Sequence, residues 1–240
     1  FWQDATHPKG VWRRTSVADY ALPEPHWEIL LDVDKLSTDE KENWVWIGAA
    51  CSPSLKRCLI RLSRGGGDAA AVREFDLATK RFVRAGFAVP EAKSDIAWLD
   101  DETVPLGTDF GPGSMTTSGY PRIAKQWKRG TPLAAATTIH EGQPSDVSVG
   151  ASVFHDASGD VALLVRAVTF FTAEYLHVLR DGSTTKLPLP LAAELRGAQA
   201  GSLVFSLRDD WTPPGGATLA KGSLIAFPVK PFAIAKTAPT

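Results

Sequence analysis

Three serines with small neighbours come nearest, by type and spacing, to covalent chemistry in this chain. A hydrolase nucleophile needs Gly-x-Ser-x-Gly on a strand-turn-helix, because only small flanking residues tolerate the strained turn that exposes the hydroxyl. Gly150-Ala-Ser152-Val-Phe154 meets the first half of that pattern and fails at its last position, within text that reads as strand. Ser114, after Gly113, and Ser118, before Gly119, sit in a loop that no helix follows. The spacing predicts three structural serines and no catalytic residue.

Metal and phosphate chemistry also lack their spacing. His7, His26, His140, His155 and His177 form no His-x-x-x-His or His-Glu-x-x-His pair, and only two cysteines could assist them, so neither a metal site nor a cofactor is expected. Gly65-Gly-Gly67 has no Lys-Ser/Thr after it and reads as a hairpin loop, not a phosphate cradle. Asp100-Asp101 and Asp209-Asp210 read as solvated turns. Of the eight tryptophans, Trp44, Trp46 and Trp98 stand at the starts of strand-like units, where bulky rings wedge sheets together. Cys51 and Cys58 flank the turn-rich Ser52-Pro-Ser-Leu-Lys-Arg57 between two apolar runs. If those runs are antiparallel strands the pair can face across a hairpin and bond; otherwise they are two small buried thiols, and the compartment decides between these.

The elements that would position these residues are strands. Helical periodicity is nearly absent, while short apolar runs bounded by Gly, Pro, Asp and Asn recur, among them Trp27–Val33, Cys58–Leu62, Ala71–Phe75, Val161–Arg166, Tyr175–Leu179 and Ser223–Phe227. Only Leu36–Glu42 suggests a helical turn, with Ser37 as N-cap and Glu40 completing a capping box. Strand groups begin near Trp44, Ile96, Val147 and Glu194, a period of about fifty residues within reach of propeller blades. The fold class is therefore all-β, a partial β-propeller of four-stranded antiparallel blades, with units near 1–43 (partial), 44–93, 94–146, 147–193 and 194–235. The loops joining second and third strands, Arg64–Asp68, Phe110–Tyr120, Thr169–Glu174 and Asp209–Gly216, would share one rim, Gly-rich and aromatic, suited to contact with a neighbouring domain.

Composition excludes other partners. Lys+Arg 26 against Asp+Glu 27 gives a net charge of −1, without the basic footprint of a nucleic-acid or anionic-membrane binder. No apolar run approaches the roughly 18 residues of a membrane span, and the first residues do not read as a signal peptide. With 240 residues, 44% of them hydrophobic, the chain can bury a substantial core. Its opening on Phe1 and its close in Ala235-Lys-Thr-Ala-Pro-Thr240 read as a segment of something longer, cytoplasmic or periplasmic.

Three phrases in order carry a family resemblance: Phe1-Trp-Gln-Asp with His7-Pro-Lys-Gly10 and Val11-Trp-Arg-Arg-Thr15; Arg73-Glu-Phe-Asp-Leu-Ala-Thr79; and Thr108-Asp-Phe-Gly-Pro-Gly-Ser114 running into Ser118-Gly-Tyr-Pro-Arg122. Together they resemble the N-terminal β-propeller region of the prolyl oligopeptidase family of serine peptidases. That resemblance implies about four to five of seven blades, capping an α/β-hydrolase domain of the same parent chain that holds the catalytic triad. It implies a cap that admits short proline-containing peptides and keeps folded proteins out, and that is itself inactive. Some family members place an aromatic pocket residue near where Lys93 stands; this chain has a cation there instead, which does not carry the aromatic pocket over and leaves Lys93, Ser94 and Asp95 as candidates for contact with peptide or the hydrolase domain. The rival reading is a stand-alone propeller serving as a protein-binding scaffold. A partial ring would also leave open blade faces and strand edges, from which self-association is expected.

Overall fold

The computed structural model describes residues 1–157 and 159–229, so the expected end of the last unit at 235 and the segment Ala235–Thr240 lie outside the described residues. The chain divides into two compact units, Phe1–Ala92 and a second beginning at Lys93. Both are built almost wholly of antiparallel strands, as the alternating runs predict.

In the first unit, β1 (Val11–Arg14) pairs with β2 (Glu28–Asp32), and Trp2 bridges to Val11 on the other edge of β1. Between them α1 (Val17–Tyr20) is one exposed turn capped by Ser16, whose side chain accepts the Asp19 N–H. The longer helix α2 (Val33–Glu40) corrects the expectation of a Ser37-capped turn. Asp32, the last residue of β2, caps it by accepting the Lys35 N–H, so Ser37 lies buried inside the helix. Glu40 does not close a capping box; it binds Arg73 and the Trp44 indole N–H. A sheet follows in the order β3 (Trp44–Cys51), β4 (Arg57–Arg64), β5 (Ala70–Asp76), β6 (Arg81–Phe82), with β7 (Ala88–Ala92) also on β5. Strand β4 is inner to the sheet and covered on both faces, which is why Cys58, Leu59, Ile60 and Leu62 run almost unbroken. Val33, Trp44, Cys58, Ile60, Leu62 and Phe75 form the core here.

The second unit repeats one plan. Its first sheet is β8 (Asp95–Ile96), β9 (Thr103–Gly107), β10 (Ile123–Lys128) and β11 (Thr137–Glu141); its second is β12 (Ser148–Asp156), β13 (Gly159–Ala167), β14 (Ala173–Val178) and β15 (Thr184–Lys186). The third is β16 (Ala193–Gln199), β17 (Ser202–Leu207) and β18 (Leu224–Pro228). Each sheet runs through consecutive strands, so every connection is local and the first strand lies at one edge. Strands β14 and β15 turn through Arg180–Ser183, where Gly182 adopts φ +87°, the left-handed conformation that the Asp-Gly pair predicts.

Neighbouring sheets meet side by side. The Asp95 carboxylate at the start of β8 accepts the Ala151 N–H of β12 at 3.2 Å, and His155, further along β12, contacts the Trp98 carbonyl at 3.1 Å, so β8 and β12 run in the same direction. A Cβ on Gly150 would fall on the Asp95 carboxylate, so any larger residue here must displace that carboxylate from the Ala151 N–H. Between the second and third sheets, the Tyr175 hydroxyl donates to the Ala193 carbonyl at 2.9 Å and accepts the Leu195 N–H at 3.1 Å. Leu163, Tyr175, Leu203 and Phe205 fill the space behind it.

Cys51 and Cys58 are direct partners in the β3–β4 register and are joined as a disulfide. The closed loop is short, so its entropic contribution is modest, about 2 kcal/mol. We expect Cys51→Ser/Cys58→Ser to unfold in urea with that loss of stability, and the unaltered chain to show no alkylable thiol until reduced. Two thiols that react without reductant in the folded protein would contradict the bond.

Candidate functional site

Strand direction sorts the loops of the second unit onto two rims. At one rim lie the starts of β8, β12 and β16 and the turns after β9, β13 and β17; at the other lie the turns after β8, β12 and β14. Tyr120, Phe170, Phe171 and Leu191 are exposed at the first rim, and Leu179 at the second. The first rim also carries Lys93, Ser94 and Asp95.

Those three residues do not converge. The Lys93 ammonium lies 4.3 Å from the Tyr120 ring centroid, a cation–π contact. The Ser94 hydroxyl lies 2.7 Å from the Thr108 hydroxyl. Asp95 turns to the neighbouring sheet, as described above. The partners of Lys93 and Ser94 come from the segment after β9, 27 and 14 residues away, and nothing in the local pattern around Lys93 announces them.

That loop, 108–122, is glycine-rich yet closely tied. Ser114 is buried; its hydroxyl donates to the Gly111 carbonyl at 2.6 Å and accepts the Phe110 N–H at 2.8 Å. Thr116 and Ser118 hydroxyls both donate to the Val147 carbonyl at 3.1 Å. Arg122 closes the loop's base, donating to the Gly113 carbonyl through Nε and Nη2 and to the Gly142 carbonyl through Nη1. Lys125 stacks on Phe110 at 4.5 Å. The result is a preorganised platform with Tyr120 and Lys93 on it.

Among the described residues the three serines singled out in the sequence assemble no activated nucleophile. Ser114 and Ser118 are committed to backbone, and Ser152 lies mid-strand opposite Leu163. His155 and Asp160, paired across the β12–β13 hairpin at 2.9 Å, make the His-Asp half of a triad, but the histidine's other nitrogen is engaged by the Trp98 carbonyl. Their sequence separation of five across a turn was a readable signal for the pair. Among the described residues no group of His, Cys, Asp and Glu could hold a metal ion.

Near this rim, behind the loops, an ionic cluster ties the second sheet to the connection that leads into it from β11. Arg166 on β13 makes two bonds to Asp146, at 2.7 and 3.0 Å, and one to Glu174 on β14 at 3.0 Å, which also receives Lys186 at 2.5 Å. Hydrogen bonding from Arg166 holds the Asp146 carboxyl below its usual range, and Lys186 does so first for Glu174. His140 on β11 is lowered by burial and then by the Arg166 charge, and His177 on β14 by burial.

The phrases that carried the family resemblance are structural here. Asp34 accepts the Lys9 and Gly10 N–H groups, closing the chain's first loop. Arg73 pairs with Glu40; Glu74 is buried and accepts the Phe87 N–H; Phe75 is core; Asp76 accepts the Ala78 and Thr79 N–H groups of the next turn.

A family model described as the prolyl oligopeptidase N-terminal beta-propeller domain matches residues 1–233. The chain is 41% identical over 236 residues to Uncharacterized peptidase y4nA of Sinorhizobium fredii, covering 96% of this chain and 32% of that protein. It is 30% identical to Uncharacterized peptidase RP174 of Rickettsia prowazekii, covering 95% and 33%. The solved structure of a post-proline cleaving enzyme from Rickettsia typhi superimposes with a TM-score of 0.87 at 28% identity, over 94% of this chain and 35% of that one. The chain thus spans about a third of the length of the relatives it matches.

The titration directions fix how stability depends on acid. A histidine lowered by burial stays neutral in the fold, so stability falls once pH drops below about 6.5, where the unfolded chain takes up the proton. Carboxylates held low stabilise the fold above their unfolded range and lose that contribution as pH falls through their folded values. Thermal melts should therefore decline in two stages, near pH 6 and again below about pH 4. The double variant His140→Gln/His177→Gln should flatten the first stage alone; a profile unchanged by it would contradict the burial argument.

Proposed function

Because the chain belongs to the prolyl oligopeptidase family as its N-terminal β-propeller domain, we propose that it is the substrate-gating cap of a serine endopeptidase acting on short proline-containing peptides. The observation that carries this reading is the superposition on the Rickettsia typhi post-proline cleaving enzyme across nearly the whole chain. The bond-breaking groups reside, on this reading, in a hydrolase domain of the same longer protein, and the cap contributes selection.

The selection is steric. Sheets that meet side by side through β8, β12 and β16 present those strands as a wall, and a flexible peptide passes where a folded protein cannot. The rim bearing Lys93, Tyr120, Phe170 and Phe171 is the one we assign to the hydrolase domain, because exposed aromatic rings on tied loops suit a dry interface. Lys93 and Ser94 are placed there to contact peptide or that domain, while Asp95 contributes by holding the sheets in register.

The full-length protein bearing this sequence should hydrolyse a succinyl-Gly-Pro chromogenic substrate and short proline peptides, and leave folded proteins intact. The chain alone should release no chromophore. Turnover by the isolated chain that disappears in Ser114→Ala, Ser118→Ala or Ser152→Ala would overturn the assignment, as would equal cleavage of folded and short substrates by the full-length protein.

A further inference from the structure

The geometry points to a second peptide site, a cleft between the second and third sheets of the second unit that takes the C-terminal residue of a short peptide together with its free carboxylate. The inference rests on the reading that this protein handles short peptides, and adds a binding site to it. The cleft has a volume of about 200 Å³ and is lined by Phe171, Tyr175, Ala193, Glu194 and Arg208 among others. That is room for one residue, well below the size of a drug-like pocket.

Its floor and the turn that carries one wall are held by hydrogen bonds. Phe171 is 67% exposed on a turn locked by the Thr169–Thr172 hydroxyl contact at 2.7 Å and by the Val168 N–H bond to the Thr172 carbonyl at 3.0 Å. Tyr175 forms the floor, its ring held by both hydroxyl bonds to β16 and packed edge-on against Phe205 at 4.9 Å. A held tyrosine floor beside an exposed phenylalanine wall suits a flat apolar ring such as proline.

The charge complements a carboxylate. Glu194 is shared by two guanidiniums, accepting from Arg208 Nε at 3.1 Å and Nη2 at 2.8 Å and from Arg196 Nη2 at 2.9 Å, so two cations face one anion. Arg208 also stands 5.6 Å from the Phe171 centroid, placing its charge beside the aromatic wall. Asp210, next but one, turns its carboxylate to the Lys221 N–H instead. A guanidinium has five N–H donors, of which Glu194 uses two. An apolar wall beside an excess cation fits a peptide terminus, where ring and carboxylate lie on one residue; cleavage after proline leaves peptides ending in this way.

The test uses the chain itself and two probes, N-acetyl-Ala-Ala-Pro as free acid and as C-terminal amide, titrated by calorimetry or by amide chemical shifts. The acid should bind with a millimolar dissociation constant and the amide at least about tenfold more weakly. Arg208→Gln should erase the difference between acid and amide, and Phe171→Ala should weaken the acid about tenfold. If Arg208→Gln fails to fold, the acid-against-amide comparison on the unaltered chain still decides. No binding of the acid at about 10 mM, or equal binding of acid and amide, overturns the site. A full-length protein that cleaves proline peptides while the acid fails to bind would reject this cleft and leave the peptidase reading standing.

Discussion

The side-to-side contact of its sheets is what the second unit depends on, and Asp95 against Gly150 and Ala151 is one of its anchor points. A four-stranded sheet whose middle strands are apolar on both faces cannot stand alone in water; Leu163 and Leu164, adjacent on β13, point to opposite faces and both are fully buried. Each sheet must be covered by its neighbours, and the neighbour must come close enough for a carboxylate to reach a strand amide. Glycine at position 150 permits that approach. The Gly-x-Ser beginning of a nucleophile motif at 150–152 is thus accounted for by packing, and the serine follows in an ordinary strand register.

A second constraint acts on the loops. Propeller blades leave long connections at one rim, and these hold shape by satisfying backbone groups with side chains. In the second unit Ser114 and Arg122 do this, and within the first unit Asp34 and Asp76 do the same for its own loops, each bonding two or more backbone groups. Residue types that suggest chemistry in a motif, such as serine beside glycine or aspartate before threonine, serve here as clamps. In the second unit the clamped loops hold out the Tyr120 ring with the Lys93 ammonium against it.

The all-β class was legible because alternation and continuous apolar runs report directly on strands covered on one face or on both. Of the three tryptophans expected to pack between sheets, Trp44 and Trp98 are buried, while Trp46 is half-buried against Phe1 and Trp12. The helix start was misread because Ser37 with Glu40 satisfies a local capping rule, while Asp32, five residues earlier, is also a cap and is reached first from β2. The candidate site was far less legible. Lys93 meets Tyr120 twenty-seven residues away, and Arg166 collects acids from two other segments; such pairs depend on where sheets meet, which periodicity does not encode.

Hydrogen exchange compared between this chain and the full-length protein that bears it tests the central claim most directly. If the chain is a cap seated through its aromatic rim, residues 93–95, 108–122 and 168–172 should gain protection in the full-length protein, while 129–136 and 179–183 on the opposite rim exchange as before. Protection confined to the opposite rim, or identical exchange at both rims, would contradict it.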